Sequence, residues 1–347
     1  MGDGVTNILG GLAAMKQRRW HIEGQRAHIT RRCRGGRYLL RPDDYINHAV
    51  AYDVGYSAMK HHQEISALTM MSNHYHLVTL DRKAKRSAFV GRLNRRIGER
   101  LRRHRGITGG CWEERAYGDT ILIDDKAEME HLLYVWLNPV KDGLVEKVED
   151  WPGYQILPRH WGKEITVTKP KKHFGRSGPD TVTWTPKPPP SLRHLPLEKA
   201  IALAEAKIAE RERQIAAARR EKDKKSVLGR ALILGMDPLD RPDEPTLNRR
   251  ACPVIACDDE ALKKKVEEAY RIFLDTYETQ RQRWLIGKSV TFPCGTLKLR
   301  YQAPVQCHGP TDDHPGLYDP KQEDCTGSLQ GQGRPSDGGV WARTTGG

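Results

Sequence analysis

Short runs of apolar residues in the first half of the chain predict β-strands. Four such runs, bounded by polar or glycine-containing turns, cover residues 27–32, 64–70, 74–80 and 118–123. The third run contains two histidines at i and i+2, and residues two apart in a strand point to the same face of the sheet. On spacing alone, this pair is either two metal ligands or, as is more common, two partly buried strand histidines.

Three stretches between and after these strands show the periodicity of amphipathic helices. Residues 43–60 follow Pro42 and open on two aspartates, which is typical of a helix start. Residues 83–105 repeat an apolar side chain every four positions. Residues 126–137 form the third, and Pro139 is expected to end it because proline disfavours the α conformation in the preceding residue. The order strand–helix–strand–strand–helix–strand–helix predicts an α+β fold, an antiparallel sheet with helices packed on one face.

Composition adds a charge argument. The chain has 347 residues and a formal net charge of +14, which favours a polyanionic partner such as nucleic acid. No run of 18 or more apolar residues is present, so we expect no membrane span. Seven scattered cysteines are read as reduced thiols, which predicts a cytoplasmic protein rather than a disulfide framework.

The predicted helix over 83–105 is rich in lysine and arginine, and Glu99 is its only acidic residue. A solvated helix face usually mixes both signs, whereas a face of one sign suits contact with phosphates. Nucleic-acid contact is therefore favoured over a plain surface helix. The candidate DNA-binding residues, including two at the end of the first strand, are Arg31, Arg32, Arg92, Arg95, Arg96, Arg100 and Arg103.

The helix predicted over 126–137 leads to a second pair of chemically interesting residues. Tyr134 and Asn138 are four positions apart and share one helix face. A tyrosine hydroxyl can attack phosphorus once a metal polarises the phosphate, and an asparagine carbonyl can complete a coordination set. Without further context, a half-buried aromatic residue is the preferred interpretation of Tyr134.

Two segments together resemble a known family. Residues 71–78 (Met-Ser-Asn-His-Tyr-His-Leu-Val) resemble the HUH motif, His-hydrophobic-His, of single-tyrosine transposases, and residues 134–145 resemble their second signature. The branch that looks most similar is the REP-associated tyrosine transposases, relatives of insertion-sequence enzymes that move single-stranded DNA. The resemblance covers about residues 25–155. It departs from the family at Ser72, where proline is usual, and at Tyr75, where a small aliphatic residue is usual.

The resemblance implies a ferredoxin-like HUH fold and a metal-dependent DNA strand transferase. It implies that His74, His76 and Asn138 bind Mg²⁺ or Mn²⁺, and that Tyr134 is the nucleophile. The implied reaction cleaves and rejoins single-stranded DNA, in hairpin or palindromic form, through a 5′-phosphotyrosine intermediate. Both a monomer and a homodimer are compatible with the family.

The remaining segments complete the expected organisation. Residues 1–24 are expected to be a leader, 25–155 the HUH transposase domain and 156–196 a proline-rich linker. Residues 197–301 predict a mainly helical accessory region, and 302–347 predict a disordered tail that is poor in aliphatic residues.

Two alternative functions remain open at this point. The altered motif and the long C-terminal part are compatible with a catalytically inactive, HUH-derived DNA- or RNA-binding protein. A zinc-dependent hydrolase is a weaker hypothesis, because the sequence has no HExxH motif.

Overall fold

The computed structural model describes residues 18–172, 178–221, 226–242, 254–296 and 305–308. Its main sheet has six strands in the order β5-β2-β3-β1-β4-β8. Pairing is antiparallel throughout, except that β8 lies parallel to β4. The described strands are β1 Gln25–Arg32, β2 Gln63–Met70, β3 His74–Asp81, β4 Gly118–Leu122, β5 Gln155–Ile156, β6 Ile165–Thr168, β7 Thr181–Trp184, β8 Ile255–Ala256, β9 Thr291–Phe292 and β10 Gln306–Cys307.

Helices cover both faces of this sheet. The described helices are α1 Asp44–His61, α2 Arg86–Arg105, α3 Asp125–Lys141, α4 Leu197–Glu221, α5 Arg230–Gly235 and α6 Glu260–Leu285. Helices α1 and α2 share one apolar core with the sheet, and α3 and α4 share a second core with its opposite face. The central order β2-β3-β1-β4 with α1 and α2 on one side is the ferredoxin-like arrangement. The predicted α+β class is thus confirmed, whereas the prediction that all helices pack on one face was wrong.

Strand register explains which side chain meets which helix. Thr30 pairs with His76 and Arg31 pairs with Tyr75 across β1 and β3, and paired side chains point to the same face. Tyr75 is fully buried on the α1–α2 face, where its hydroxyl donates to Asn94 Oδ1 on α2 at 2.8 Å. The alternation of β3 therefore sends His74 and His76 to the face that α3 covers.

Helix α3 continues past Pro139, contrary to the expected end at residue 137. Proline lacks an amide hydrogen, so the helix loses one backbone hydrogen bond there. The next turn nevertheless closes, because Asp142 N donates to Asn138 O at 3.0 Å and Leu144 N donates to Pro139 O at 2.9 Å. Burial of Pro139 and Val140 offsets the missing bond. This extension keeps Asn138 helical, one turn after the tyrosine.

The stretch expected as a linker, 156–196, packs against the domain. Strands β6 and β7 form a hairpin whose Val182 and Trp184 belong to the α1 core. Trp161 is fully buried and its indole nitrogen donates to Ser66 O at 2.8 Å. A Cβ at Gly55 of α1 would collide with the Trp184 ring, so the helix needs glycine there. This stretch is a structural layer rather than a spacer.

Part of the expected leader is described by the structure and packs in a core, whereas most of the expected tail is not described. Trp20 and Ile22, inside the expected leader, are buried in a third core with Phe273 of α6. Residues 1–17 of the expected leader, and 302–304 and 309–347 of the expected tail, lie outside the described residues. No helix within the described ranges is long and apolar enough to span a bilayer.

Candidate active site

Strand β3 and helix α3 bring the predicted nucleophile to the predicted ligands. The ring centroids of His74 and His76 are 4.8 Å apart, and that of Tyr134 is 5.1 Å from that of His76. The rings of His76 and Tyr134 are perpendicular. Asn138 is 3% exposed and lies one helical turn after Tyr134. Residues about sixty positions apart in sequence thus meet on one face of the sheet.

The position of α3 is fixed at its N-terminal end. The Asp124 carboxylate accepts a hydrogen bond from Ala127 N at 2.7 Å and caps the helix. Arg26 of β1 pairs with Glu128 at 3.4 Å, and Glu128 is 1% exposed. Glu128 also accepts from Ser191 N at 3.0 Å. The helix that carries Tyr134 is therefore tied to the strand beside the histidines.

The tautomer of His74 follows from a chain of hydrogen bonds. Asn73 Nδ2 donates to Gly36 O at 3.1 Å, which orients the Asn73 amide. The amide oxygen of Asn73 then lies 2.6 Å from His74 Nδ1 and can only accept. His74 Nδ1 therefore carries the hydrogen, and in the neutral ring His74 Nε2 carries the lone pair. A nitrogen lone pair is what a metal ligand needs.

His76 takes part in a second series of hydrogen bonds. Its partners are two histidines, His28 and His131, that the sequence analysis did not identify. His76 Nδ1 lies 3.0 Å from His28 Nε2, and His28 Nδ1 lies 2.9 Å from His131 Nδ1. Burial, and then the neighbouring His131, lower the pKa of His28 to about 3. Burial also lowers the pKa of His131. At neutral pH His28 is an uncharged ring inside the site.

A cation accompanies the candidate nucleophile. The Lys141 ammonium lies 5.2 Å from the centroid of the Tyr134 ring, within the range of a cation–π interaction. Lys141 is exposed and Tyr134 is half-buried. The tyrosine ring therefore lies near a positive charge at the surface of the site.

The donors fit a divalent cation. Asn138 Oδ1 is buried and, among the described residues, has no hydrogen-bond partner. An uncompensated buried carbonyl is costly unless a ligand or ion satisfies it. The amide oxygen is a ligand type that suits Mg²⁺ and Mn²⁺, and imidazole nitrogens are ligands for several divalent first-row metals. No cluster of three His, Cys, Asp or Glu side chains suited to a metal occurs in the described part of the chain. The Asn138 amide is therefore the candidate for a third donor beside the two histidines.

The seven predicted DNA-binding arginines are not on one surface. Helix α2 lies behind the sheet, on the face opposite Tyr134. On it, Arg96 and Arg100 are 3% and 5% exposed and pair with the buried Asp53 at 2.6 and 3.7 Å. These two arginines are buried ion-pair partners of Asp53. Arg92 is half-buried, while Arg95 and Arg103 are exposed on the far face.

The two arginines of β1 point to opposite faces of the sheet. Arg31 points to the α2 face and donates to the backbone carbonyls of Glu113, at 2.7 Å, and Arg115. Arg32 pairs in register with His74 and shares its face. Gly36, at φ +69°, lies so close to the Arg32 guanidinium that a Cβ there would come within 2.7 Å of Nη2. Of the seven, Arg32 alone lies on the face of the sheet that carries His74 and His76 and pairs in register with a predicted ligand.

Sequence similarity places the chain among known proteins. A Haemophilus influenzae protein assigned by name to the REP-associated tyrosine transposases is 30% identical over 140 residues, which cover 34% of this chain and 77% of that relative. The chain belongs to the REP-associated tyrosine transposase family. No protein-family model matches it. The resemblance that residues 71–78 and 134–145 suggested is thereby confirmed.

Two solved structures match part of this chain. One is a REP-associated tyrosine transposase bound to a REP hairpin, with a TM-score of 0.36, 21% identity, and coverage of 42% of this chain and 84% of that one. The other, from Deinococcus radiodurans, is assigned to the transposases, with a TM-score of 0.26, 17% identity, and coverage of 35% and 95%.

Three residues at the site were not among the sequence predictions: His28, His131 and Lys141. His28 lies two residues before Thr30, which pairs with His76. Strand alternation therefore places His28 on the same face of the sheet as His76. His131 and Lys141 lie three residues before and seven after Tyr134, which is the same helix face. Pairing β1 with β3 at the sequence level would have found the first, and helical spacing from Tyr134 would have found the other two.

Proposed function

We propose that this transposase cleaves and rejoins single-stranded DNA with Tyr134 as its nucleophile. The observation that carries the proposal is the edge-on approach of the Tyr134 ring to His76, with centroids 5.1 Å apart, within one chain. Family membership supports DNA as the substrate class, and the net charge of +14 suits a polyanion.

The proposed reaction exchanges one phosphodiester for another. The Tyr134 hydroxyl oxygen attacks the scissile phosphorus and forms a phosphotyrosine bond to the 5′ phosphate of the fragment downstream of the break. The bond from phosphorus to the 3′ oxygen breaks, and that oxygen leaves as a 3′ hydroxyl after taking up a proton, while the phenol proton passes to solvent. Attack of a 3′ hydroxyl on the phosphotyrosine reverses the step, and no external energy source is consumed.

The positions of the ligand candidates support a metal-assisted version of this reaction. His74 Nε2, His76 Nε2 and Asn138 Oδ1 are the atoms that would hold Mg²⁺ or Mn²⁺. When bound, such an ion polarises phosphate oxygens and offsets developing negative charge. A free phenol has a pKa near 10, so Tyr134 needs help to ionise. The Lys141 ammonium beside its ring stabilises the phenolate electrostatically.

Arg32 is the arginine best placed to contact substrate near the break. It shares the face of His74, whereas the exposed arginines of α2 lie behind the sheet. We propose that Arg32 contacts a phosphate beside the scissile one. Arg32→Gln should weaken binding of a DNA hairpin and reduce its salt dependence, since one fewer counterion is released. Arg95→Gln, on the far face, is the matched control and should leave both unchanged.

A denaturing gel tests the proposed function. The full-length protein is incubated with Mn²⁺ and DNA hairpins carrying single-stranded flanks, labelled at the 5′ or the 3′ end. A covalent adduct that retains only the 3′-end label is expected, because the tyrosine holds the 5′ phosphate of the downstream fragment. Tyr134→Phe should remove the adduct and retain hairpin binding. Binding without an adduct in the native protein would instead favour a catalytically inactive binding protein.

A further inference from the structure

We propose that His28 is a positioning residue that fixes His76 in the tautomer a metal ligand requires, and that His131 holds His28 in place. This inference rests on the proposed function, because it concerns a ligand of that same site. His28 itself touches neither the proposed metal position nor the phosphate; it acts through His76. Neither His28 nor His131 belongs to the two signatures that suggested the family.

The contacts form one continuous line of nitrogen atoms. His76 Nδ1 to His28 Nε2 is 3.0 Å, and His28 Nδ1 to His131 Nδ1 is 2.9 Å. Both distances are those of normal hydrogen bonds. The rings lie close together, with centroids 5.1 Å apart for His28 and His76 and 5.0 Å apart for His28 and His131. His28 is 7% exposed, so these two contacts use both of its polar atoms inside the protein.

Proton counting along this line leaves two arrangements. A neutral imidazole has one N–H and one lone pair, so His28 donates at one end and accepts at the other. In the first arrangement His76 Nδ1 donates to His28 Nε2, and His28 Nδ1 donates to His131 Nδ1. In the second arrangement both hydrogen bonds run the other way.

Only the first arrangement leaves His76 ready to bind a metal. With the hydrogen on His76 Nδ1, the neutral ring keeps its lone pair on Nε2. In the second arrangement Nε2 carries the hydrogen and cannot be a ligand. The first arrangement also requires His131 to keep an unprotonated Nδ1, so His131 must be neutral for the line to hold. Through His28, the protonation state of His131 therefore affects whether His76 Nε2 has a lone pair.

The other predicted ligand is held in the same manner by a different residue. His74 Nδ1 donates to Asn73 Oδ1 at 2.6 Å, and Asn73 is in turn fixed by Gly36 O. Each of the two histidines thus has an acceptor at Nδ1 that directs its lone pair to Nε2. Such outer partners orient metal-binding histidines and raise their basicity, and their loss typically costs about 10- to 100-fold in metal affinity.

The test compares two replacements of His28 in full-length protein without DNA. His28→Gln keeps an amide oxygen that can accept from His76 Nδ1 and an N–H that can donate to His131. His28→Phe keeps a ring and removes both functions. Mn²⁺ affinity is measured from the electron paramagnetic resonance signal of free Mn²⁺, and thermal unfolding checks that each variant folds. His194→Phe, at an exposed histidine, is the matched control.

His28→Phe should weaken Mn²⁺ binding roughly 10- to 100-fold, and His28→Gln should restore most of the affinity. His131→Ala, at a half-buried position that tolerates truncation better, should give a smaller loss. Nitrogen-15 spectra of the Mg²⁺-bound protein should show His76 with its hydrogen on Nδ1. Equal Mn²⁺ affinity in native protein and His28→Phe, or a hydrogen on His76 Nε2, would overturn the inference.

The outcomes separate this inference from the proposed function. A native protein that binds Mn²⁺ and forms the adduct, with His28→Phe unimpaired in metal affinity, contradicts only the role of His28. A native protein that neither binds Mn²⁺ nor forms the adduct contradicts both. If His28→Phe unfolds, His131→Ala decides: a Mn²⁺ affinity equal to that of the native protein in this variant contradicts the inference.

Discussion

The ring of Tyr134 meets the ring of His76 edge-on, with centroids 5.1 Å apart and an interplanar angle of 90°. One residue lies on a helix and the other on a strand, and both belong to the same chain. The α3 helix packs on its own sheet through the core that contains Val78 and Trp136. A single chain therefore carries the proposed nucleophile together with a candidate ligand.

Asn138 should show opposite effects on stability and on function. Its Oδ1 is buried and unsatisfied among the described residues, so replacing the amide by an apolar group of similar shape removes a desolvation cost. Asn138→Leu should leave unfolding free energy unchanged or raise it by about 1 kcal/mol, while adduct formation falls sharply. Urea unfolding and Mn²⁺ titration of the adduct yield measure the two effects. A variant that loses stability and keeps activity would contradict the ligand role.

Two neighbouring arginines on α2 should behave differently. Arg96 is buried against Asp53 at 2.6 Å, so Arg96→Ala leaves a buried carboxylate with weakened compensation and should cost about 3–5 kcal/mol of unfolding free energy. Arg95 is exposed and pairs with Glu99 on its own helix, so Arg95→Ala should change stability by about 0.5 kcal/mol or less. Chemical denaturation measures both. Equal stability in the two variants would contradict the internal role of Arg96.

Asp124 should make the protein sensitive to acid. Burial raises its pKa, but hydrogen bonds from Ala127 N, the Cys257 thiol and two further backbone amides outweigh that and lower it to about 2. An aspartate in the unfolded chain has a pKa near 3.9. The stabilisation is therefore complete above about pH 4 and is lost as the pH falls towards 2.

Asp124→Asn tests this pH dependence. The amide can still cap α3 but carries no charge, so the stability difference from the native protein should be largest above about pH 4 and should shrink towards pH 2. Unfolding curves from pH 2 to 7 measure it. A difference that stays constant across this range would show that the carboxylate charge has no part.

Lys141 should assist the chemistry and contribute little to folding. Its ammonium lies 5.2 Å from the Tyr134 ring centroid and is exposed. Lys141→Met should slow adduct formation by about tenfold, the equivalent of about 1.4 kcal/mol, because the negative charge that develops near the ring loses a neighbouring cation. Lys141→Arg should recover most of the rate. An unchanged rate of adduct formation in Lys141→Met would contradict the electrostatic role.

The sequence predicted the fold and half of the site through local patterns. Alternation in β3 placed His74 and His76 on one face, and four-residue spacing placed Tyr134 with Asn138. Both are local rules that hold wherever the element forms. The family resemblance then joined the two pairs, because no local pattern links residues about sixty positions apart.

Tertiary contacts decided what the sequence could not. The charge run on 83–105 gave no sign that Arg96 and Arg100 face a buried Asp53 from α1. Pro139 predicted a helix end, but the buried packing of the last turn kept the helix intact. Local sequence patterns do not identify His28, because its partners, His76 and His131, lie 48 and 103 positions away.

Peptide mapping of the covalent protein–DNA adduct tests the central claim most directly. The native protein is incubated with the hairpin substrate and Mn²⁺, digested with nuclease and protease, and analysed by mass spectrometry. The account predicts a nucleotide attached through its 5′ phosphate to Tyr134. Attachment to any other residue, or a native protein that cleaves the hairpin without any covalent intermediate, would contradict it.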